Sequence, residues 1–443
     1  MGRSGLAAAN LLSAKGFRVL VSDTRRKRDL AAAARGLRRG ILWEGGGHSR
    51  RLLKCRFVVK SPGIAPSAGI LGDLRKASVP VFGELETALA FCKARDVVAV
   101  TGTNGKTTTT LLTAAAFKAA KRRFLAAGNL GTPVSAVAAK AASKDALILE
   151  VSSYQLEDSR HFRPSVAAIL NISPDHIDHH GSMSRYIAAK ARVFRFQSGE
   201  DVCVFNADDP VVVKLSRQAP ARKLFFSLKR GALSNAWIEK GRVRVRLPGR
   251  KKDVSLAPPV LPGEHNLANA MAAALMSLAC GLAPAAIQKA FKSFRGVEHR
   301  IEDCGTAAGM LCINDSKATN VESTLTALKA LSPMCRAPRI FLILGGLHKG
   351  FPYVPIRPFL GTSVKAILTI GAAARKVEED LGGAVPLFPC RALETAVETA
   401  LQVGSEGDIL LLSPACASFD QFKDFEDRGR RFKELVERAR RKR

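Results

Sequence analysis

The hydrophobic positions of this chain fall in short, dense runs. FRVLVSD at 17–23, FVVKSPG at 57–63, VVAVTG at 97–102, ALILEVSS at 146–153, AAILNIS at 167–173 and DVCVFNAD at 201–208 are joined later by RIFLILGG at 339–346, KAILTIG at 365–371 and GDILLLSPA at 407–415. Each run is about one strand long, stops at turn-forming residues and is usually followed by a stretch with helical spacing. Runs apolar on both faces, alternating with helices, are the pattern of parallel sheets covered by helices, so the chain is predicted to be α/β. Its 443 residues suffice for two to four domains. Short turns such as Phe294-Arg295-Gly296 divide it into segments 1–94, 95–296 and 297–443.

The first segment opens with Met1-Gly2-Arg3-Ser4-Gly5, a helix, and a strand over Phe17–Ser22 that ends at Asp23. This is the second half of a dinucleotide-type unit, in which the acid closing the second strand approaches a ribose. The leading strand and its first glycine are missing. Their loss would expose a sheet edge, so an N-terminally truncated sequence is the expectation. The apolar residues after Arg3 have helical spacing, are interrupted by Asn10 and run into a strand, which argues against a secretory leader. Leu6 stands where N-myristoylation needs Ser or Thr. No apolar run is long enough to span a bilayer.

Composition adds a net charge of +31. The basic residues are dispersed apart from RRKR at 25–28, KRR at 121–123 and ERARRKR at 437–443, and no aromatic residues interleave with them. A solvated basic surface therefore fits better than a dedicated nucleic-acid site, and its field favours anionic substrates. The nine cysteines are scattered without a CxxC pair, as expected of a reduced, cytoplasmic protein.

Chemistry enters where Val97–Val100 meets Thr101-Gly102-Thr103-Asn104-Gly105-Lys106-Thr107-Thr108 and a long helical stretch begins. Glycines at 102 and 105 allow a tight turn whose N–H groups face an anion. The helix N-terminus adds positive charge, Lys106 can reach the β- and γ-phosphates, and the Thr107 hydroxyl can ligate Mg²⁺. Val100 stands where the longer loop carries a glycine, leaving the shorter spacing Gly102-x-x-Gly105-Lys106-Thr107. ATP or GTP binding is favoured over a plain helix-capping turn.

Further candidates sit at strand ends, where open α/β sheets bind ligands. Gly128-Asn129-Leu130-Gly131 forms a tight turn, and Glu150 closes the next strand in position to hold Mg²⁺. Ser173-Pro174-Asp175-His176-Ile177-Asp178-His179-His180 offers three imidazoles and two carboxylates. That set suits zinc, while magnesium held by Glu150 and His176 fits the phosphate loop. Lys190 lies in an Ala-rich helical stretch, where a disfavoured charge would leave a neutral amine able to capture CO₂ as a carbamate. Leu261 to Ala270 (LPGEHNLANA) opens a helix whose amides can read adenine edges. The third segment offers His299-Arg300, NDSKATN at 314–320, LGGLHKG at 344–350 and SPACASFDQFKDFEDRG at 413–429.

Together these strings resemble the Mur ligase family over nearly the entire chain. GTNGKTT, EVSSYQLE, DHIDHHGS, GEHN and HRIE match motifs shared across the family. NDSKATN and SPACASFDQFKDFEDRG are similar to its D-glutamate-adding branch; another Mur-type or folylpolyglutamate-type ligase is the alternative. The resemblance implies a Rossmann-like N-terminal domain for a UDP sugar, with its first strand missing, a central P-loop ATPase-type parallel sheet and a Rossmann-like C-terminal domain for an amino acid. It implies ATP and Mg²⁺ as cofactors, and UDP-N-acetylmuramoyl-L-alanine and D-glutamate as substrates. It also implies a cytoplasmic monomer with no membrane or nucleic-acid partner.

By the same resemblance, Gly102, Thr103, Asn104, Gly105, Lys106, Thr107 and Thr108 hold ATP phosphates, and Asn266, Asn269, Arg300 and Asp315 contact the nucleotide across domains. Thr107, Glu150, His176 and carbamylated Lys190 serve the metal, with Lys106, His176 and Lys190 catalytic. Ser4, Thr24 and Arg25 fall in the UDP-binding region, and Asn129 and Ser153 lie near the acyl-bearing substrate. Thr319 and Lys349 take the α-carboxylate of D-glutamate, Ser418 and Phe425 its side chain, and Lys317 lies beside them. His348 stands where the family would have an acid.

Overall fold

The computed structural model of the chain describes residues 1–249, 252–261, 263–348, 350 and 352–441. They form two compact units, one of residues 1–260 and 265–294, the other of 261–264 and 295 onward.

The first unit is built on a nine-stranded sheet. From one edge its order is Phe124–Gly128, Ala146–Glu150, Asp96–Thr101, Val166–Ile169, Val202–Asn206, Arg222–Phe226 and Ala236–Glu239, all parallel. Arg242–Val245 and Val254–Leu256 follow antiparallel. Val98, Val100, Ile148, Ala168 and Val204 face the core under helices Lys106–Ala119, Glu264–Ala279 and Pro284–Ser293. Ala99, Leu147, Leu149, Ala167, Ile169 and Phe205 fill the opposite core. Burial on both faces is why these strands read as unbroken apolar runs. The strands following Asp96–Thr101 in the chain settle first on one side of it and then on the other. It therefore lies at a point where strand order reverses, and the loop at its C-terminal end faces the crevice where such sheets bind ligands.

Residues 1–94 of this unit form helix Arg3–Ala14 and two parallel strand pairs, Leu20–Asp23 with Leu42–Gly45 and Val58–Lys60 with Val81–Gly83. The strand predicted from Phe17 begins at Leu20 instead. Two buried polar contacts fasten this portion to the large sheet. Lys60 Nζ lies 2.9 Å from Asp158, and Glu84 accepts the Ser135 N–H at 2.7 Å.

The second unit holds a six-stranded sheet in the order Glu302–Ala307, Met310–Asn314, Ile409–Leu412, Ile340–Gly345, Val364–Ile370, Leu387–Arg391. Only its first pair is antiparallel. Helix Phe425–Arg441 buries Arg428, Phe432, Leu435 and Val436, a stripe at helical spacing, while half-buried Arg431 and Lys433 pair with Glu394 and with Glu298 and Glu302. All nine cysteines are free thiols. Among the described residues no helix is long and apolar enough to cross a membrane.

Candidate active site

The loop after Asp96–Thr101 takes its shape from two glycines at positive φ, Gly102 (148°) and Gly105 (82°). A Cβ on Gly105 would run into the Asn269 side chain, and its left-handed backbone independently favours glycine there. Neighbouring strand ends secure the loop from outside. Asn171 accepts the Asn104 N–H through Oδ1 (2.8 Å) and donates from Nδ2 to Asn104 O (3.1 Å). The Thr103 hydroxyl bonds Ser173 O (3.1 Å) and the Tyr186 hydroxyl (3.0 Å). Thr109 Oγ1 donates to Asn269 Oδ1 (3.3 Å), and Asn269 donates to Asn266 (3.3 Å). The two predicted asparagines therefore lie one helical turn apart beside the phosphate loop, and Thr108 is buried in the turn that the loop opens.

Two lysines meet at one carbonyl. Lys106 Nζ donates to Gly102 O (2.9 Å) and Thr103 O (2.7 Å). Lys190 Nζ, on helix Met183–Ala191, donates to the same Gly102 O (2.7 Å). Lys190 is 2 % exposed. Burial first and the Lys106 charge second push its pKa well below the ordinary lysine value. Opposite them Glu150 accepts the Thr107 hydroxyl on Oε2 and the Asn129 amide on Oε1, each at 2.7 Å. The structure thus gathers Gly102 through Thr108 with Glu150, Asn129 and Lys190 around one crevice.

The histidine cluster divides. His176 sits at φ 54°, packs against Tyr154 with ring centroids 4.9 Å apart and lies 3.4 Å from Asp175. His179 and His180 turn instead to Glu157, at 2.9 and 3.5 Å, and His180 Nε2 bonds the Ser153 hydroxyl (3.0 Å). Ser153 is thus a buried partner of His180. In the N-terminal portion Ser4 lies on helix Arg3–Ala14, and Thr24 is exposed. Arg25 forks onto Asp23 at 3.1 and 2.9 Å, holding that carboxyl below the usual range.

In the second unit the predicted residues cluster at the C-terminal ends of three neighbouring parallel strands. Lys317 Nζ lies 5.5 Å from the Phe425 ring centroid, Ser316 Oγ donates to Phe425 O (2.8 Å), and Leu347 N donates to Ala417 O (2.8 Å). Thr319 directly precedes the Asn320 cap of helix Val321–Leu331, and Ser418 is buried. Lys349 lies outside the described residues. His348 bonds the Tyr353 hydroxyl (3.0 Å), which in turn meets Cys416 Sγ (2.8 Å).

Arg300 is half-buried, and its charge acts on Asp315, which is 4 % exposed. Asp315 accepts the Ser413 hydroxyl at 2.7 Å and the Ile301 N–H at 3.2 Å, while burial pushes its pKa up to about 7. Stability linked to this raised acid is fully present below pH 3.8 and is lost as pH rises through about 7. Asp315→Asn is expected to remove that decline, on the order of 4 kcal/mol at about 1.4 kcal/mol per pKa unit. Urea melts of both proteins across the window check this, and parallel curves would contradict it.

Comparison with known proteins completes the picture. Residues 100–277 match the family model for the Mur ligase middle domain, 299–416 that for the Mur ligase glutamate ligase domain, and 1–83 that for the Mur ligase MurD-like N-terminal domain. A UDP-N-acetylmuramoylalanine–D-glutamate ligase from Elusimicrobium minutum is 42% identical over 98% of this chain and 96% of its own length. One of the same name from Koribacter versatilis is 40% identical over 98% and 95%. Among solved structures, UDP-N-acetylmuramate-alanine ligase of Thermotoga maritima aligns with a TM-score of 0.63 at 21% identity, covering 100% of this chain and 98% of that one. A MurF ligase from the same organism in complex with ADP aligns at 0.62 and 17% identity, covering 99% of each.

Proposed function

Since the chain belongs to the Mur ligase family, we propose that it joins D-glutamate to the L-alanyl carboxylate of UDP-N-acetylmuramoyl-L-alanine in peptidoglycan precursor synthesis, using ATP, as a cytoplasmic monomer. The observation that carries the choice of amine is near-full-length likeness to ligases of that name, together with NDSKATN and SPACAS at the ends of adjacent strands. Segment 1–94 takes the UDP sugar, 95–296 the ATP, and 297–443 the amino acid.

The phosphate-loop N–H groups and Lys106 hold the γ-phosphoryl group in line with the carboxylate, and its transfer gives an acyl phosphate. The amine of D-glutamate attacks this carbonyl, the tetrahedral adduct collapses, the amide forms and phosphate leaves. Thr107, Glu150, His176 and carbamylated Lys190 would hold Mg²⁺. They fit a hard cation: the Glu150 carboxylate already touches the Thr107 hydroxyl, and buried Lys190 is a favoured neutral amine for CO₂. Bound there, Mg²⁺ neutralises phosphoryl charge.

Phosphate release from ATP is expected only when UDP-N-acetylmuramoyl-L-alanine and D-glutamate are both present. Release driven by meso-diaminopimelate or L-lysine, and not by D-glutamate, would overturn the assignment. Stimulation by DNA or RNA instead would identify a nucleic-acid ATPase.

A further inference from the structure

Arg428 is one of the largest fully buried side chains, with 0 % exposure. Its hydrogen bonds all run to neutral oxygens. Nε donates to Ser316 Oγ (3.0 Å), Nη2 to Ser316 O (2.9 Å) and Cys416 O (3.1 Å), and Nη1 to Ala417 O (3.5 Å). Burial lowers its pKa to about 10, so the guanidinium still carries its charge at neutral pH. Asp420 and Asp315 favour its charge without making an ion pair with it, so the cost of taking this cation out of water is offset mainly by its hydrogen-bonded fork.

What it does is visible in the loops it touches. Ser316 follows strand Met310–Asn314, and Cys416 and Ala417 follow strand Ile409–Leu412. The loop after Ile340–Gly345 joins through Leu347 N to Ala417 O, and a Cβ on Gly346 would lie 2.3 Å from that oxygen and 3.1 Å from Arg428 Nη1. Ser316 passes the connection on to Phe425 O. The residues proposed for D-glutamate, Lys317, Thr319, Ser418 and Phe425, therefore hang from loops tied to one guanidinium.

We propose that Arg428 is the positioning residue of the amino-acid pocket, locking three strand-end loops into one plate and setting a buried positive charge behind the site of a dicarboxylate. This inference rests on the D-glutamate reading above. Lysine keeps a charge but cannot span Ser316 and both carbonyls, so Arg428→Lys and Arg428→Met should each raise the KM for D-glutamate. The expected rise is about 10²-fold, the loss of two charged hydrogen bonds. The KM for the acid substrate should stay within about two-fold, and that for ATP, for which Asp315 beside Ser316 is proposed, should rise far less than that for D-glutamate.

Amide hydrogen exchange should show faster exchange over 315–317 and 415–418 in both variants, whichever amine is the substrate. Folded variants with unchanged D-glutamate KM would overturn the proposal. So would an equal rise in all three KM values, the mark of general loosening. If neither variant folds, Ser316→Ala, which cuts the link between Arg428 and Phe425, should raise the D-glutamate KM several-fold alone, and no change there would equally overturn it. Wild-type enzyme that ignores D-glutamate is a separate failure, of the substrate reading, and the exchange result then still decides whether Arg428 ties the loops.

Discussion

Lys190→Ala is expected to cut turnover by about 10²–10³-fold, the usual cost of losing a preorganised charge at a reacting phosphoryl group. The side chain is buried, its ammonium form is disfavoured, and its nitrogen rests 2.7 Å from Gly102 O. Carbamylation, as proposed, would turn that amine into an anion at the phosphate loop. Wild-type enzyme supplied with ¹³C-bicarbonate should show a carbamate carbon resonance that Lys190→Ala lacks, and stripping CO₂ should lower wild-type activity reversibly. Full activity of the alanine variant would remove the carbamate from the mechanism.

The lowered lysine pKa also has a definite sign in stability. The unfolded lysine keeps its proton up to about pH 10.5. Without CO₂, Lys190 therefore costs the fold most below its folded pKa, and the cost fades as pH rises toward the unfolded value. Lys190→Met should accordingly be more stable than CO₂-free wild type at neutral pH, and the difference should close at alkaline pH.

Lys106→Met is expected to lower turnover by about 10³-fold, because Lys106 is the point charge proposed for the transferred phosphoryl group. It should also act at a distance. The Lys106 charge is the second cause depressing the Lys190 pKa. Removing it should raise that pKa and lower carbamate occupancy at fixed pH and bicarbonate, read by the same ¹³C signal. An unchanged signal across pH would show that the two nitrogens do not sense each other.

Much of the fold was legible because strands buried on both faces leave unbroken apolar runs, as Val98 to Val100 and Ile409 to Leu412 do. The strands Ala236–Glu239, Arg242–Val245 and Val254–Leu256 were not. They lie toward one edge of the sheet, are only three or four residues long and mix polar or charged with apolar positions. In the site, the phosphate loop could be read locally because glycines, lysine and threonine are adjacent. Asn171, Tyr186 and Arg428 could not, since they act on residues 67, 83 and 112 positions away. Arg428 stood within a motif already singled out, yet nothing in the string tells a buried arginine from its exposed neighbours. The histidines at 176, 179 and 180 read as one cluster, and only the folded backbone turns the last two toward Glu157.

Glu150 gives one oxygen to the helix that opens at the phosphate loop and the other to the turn at Asn129. Whatever draws electron density or position from one oxygen is felt at the other. Ligands arriving on the two sides therefore cannot add as independent events. Their binding energies are linked through a single carboxylate, so each ligand should change the affinity of the other by the same factor.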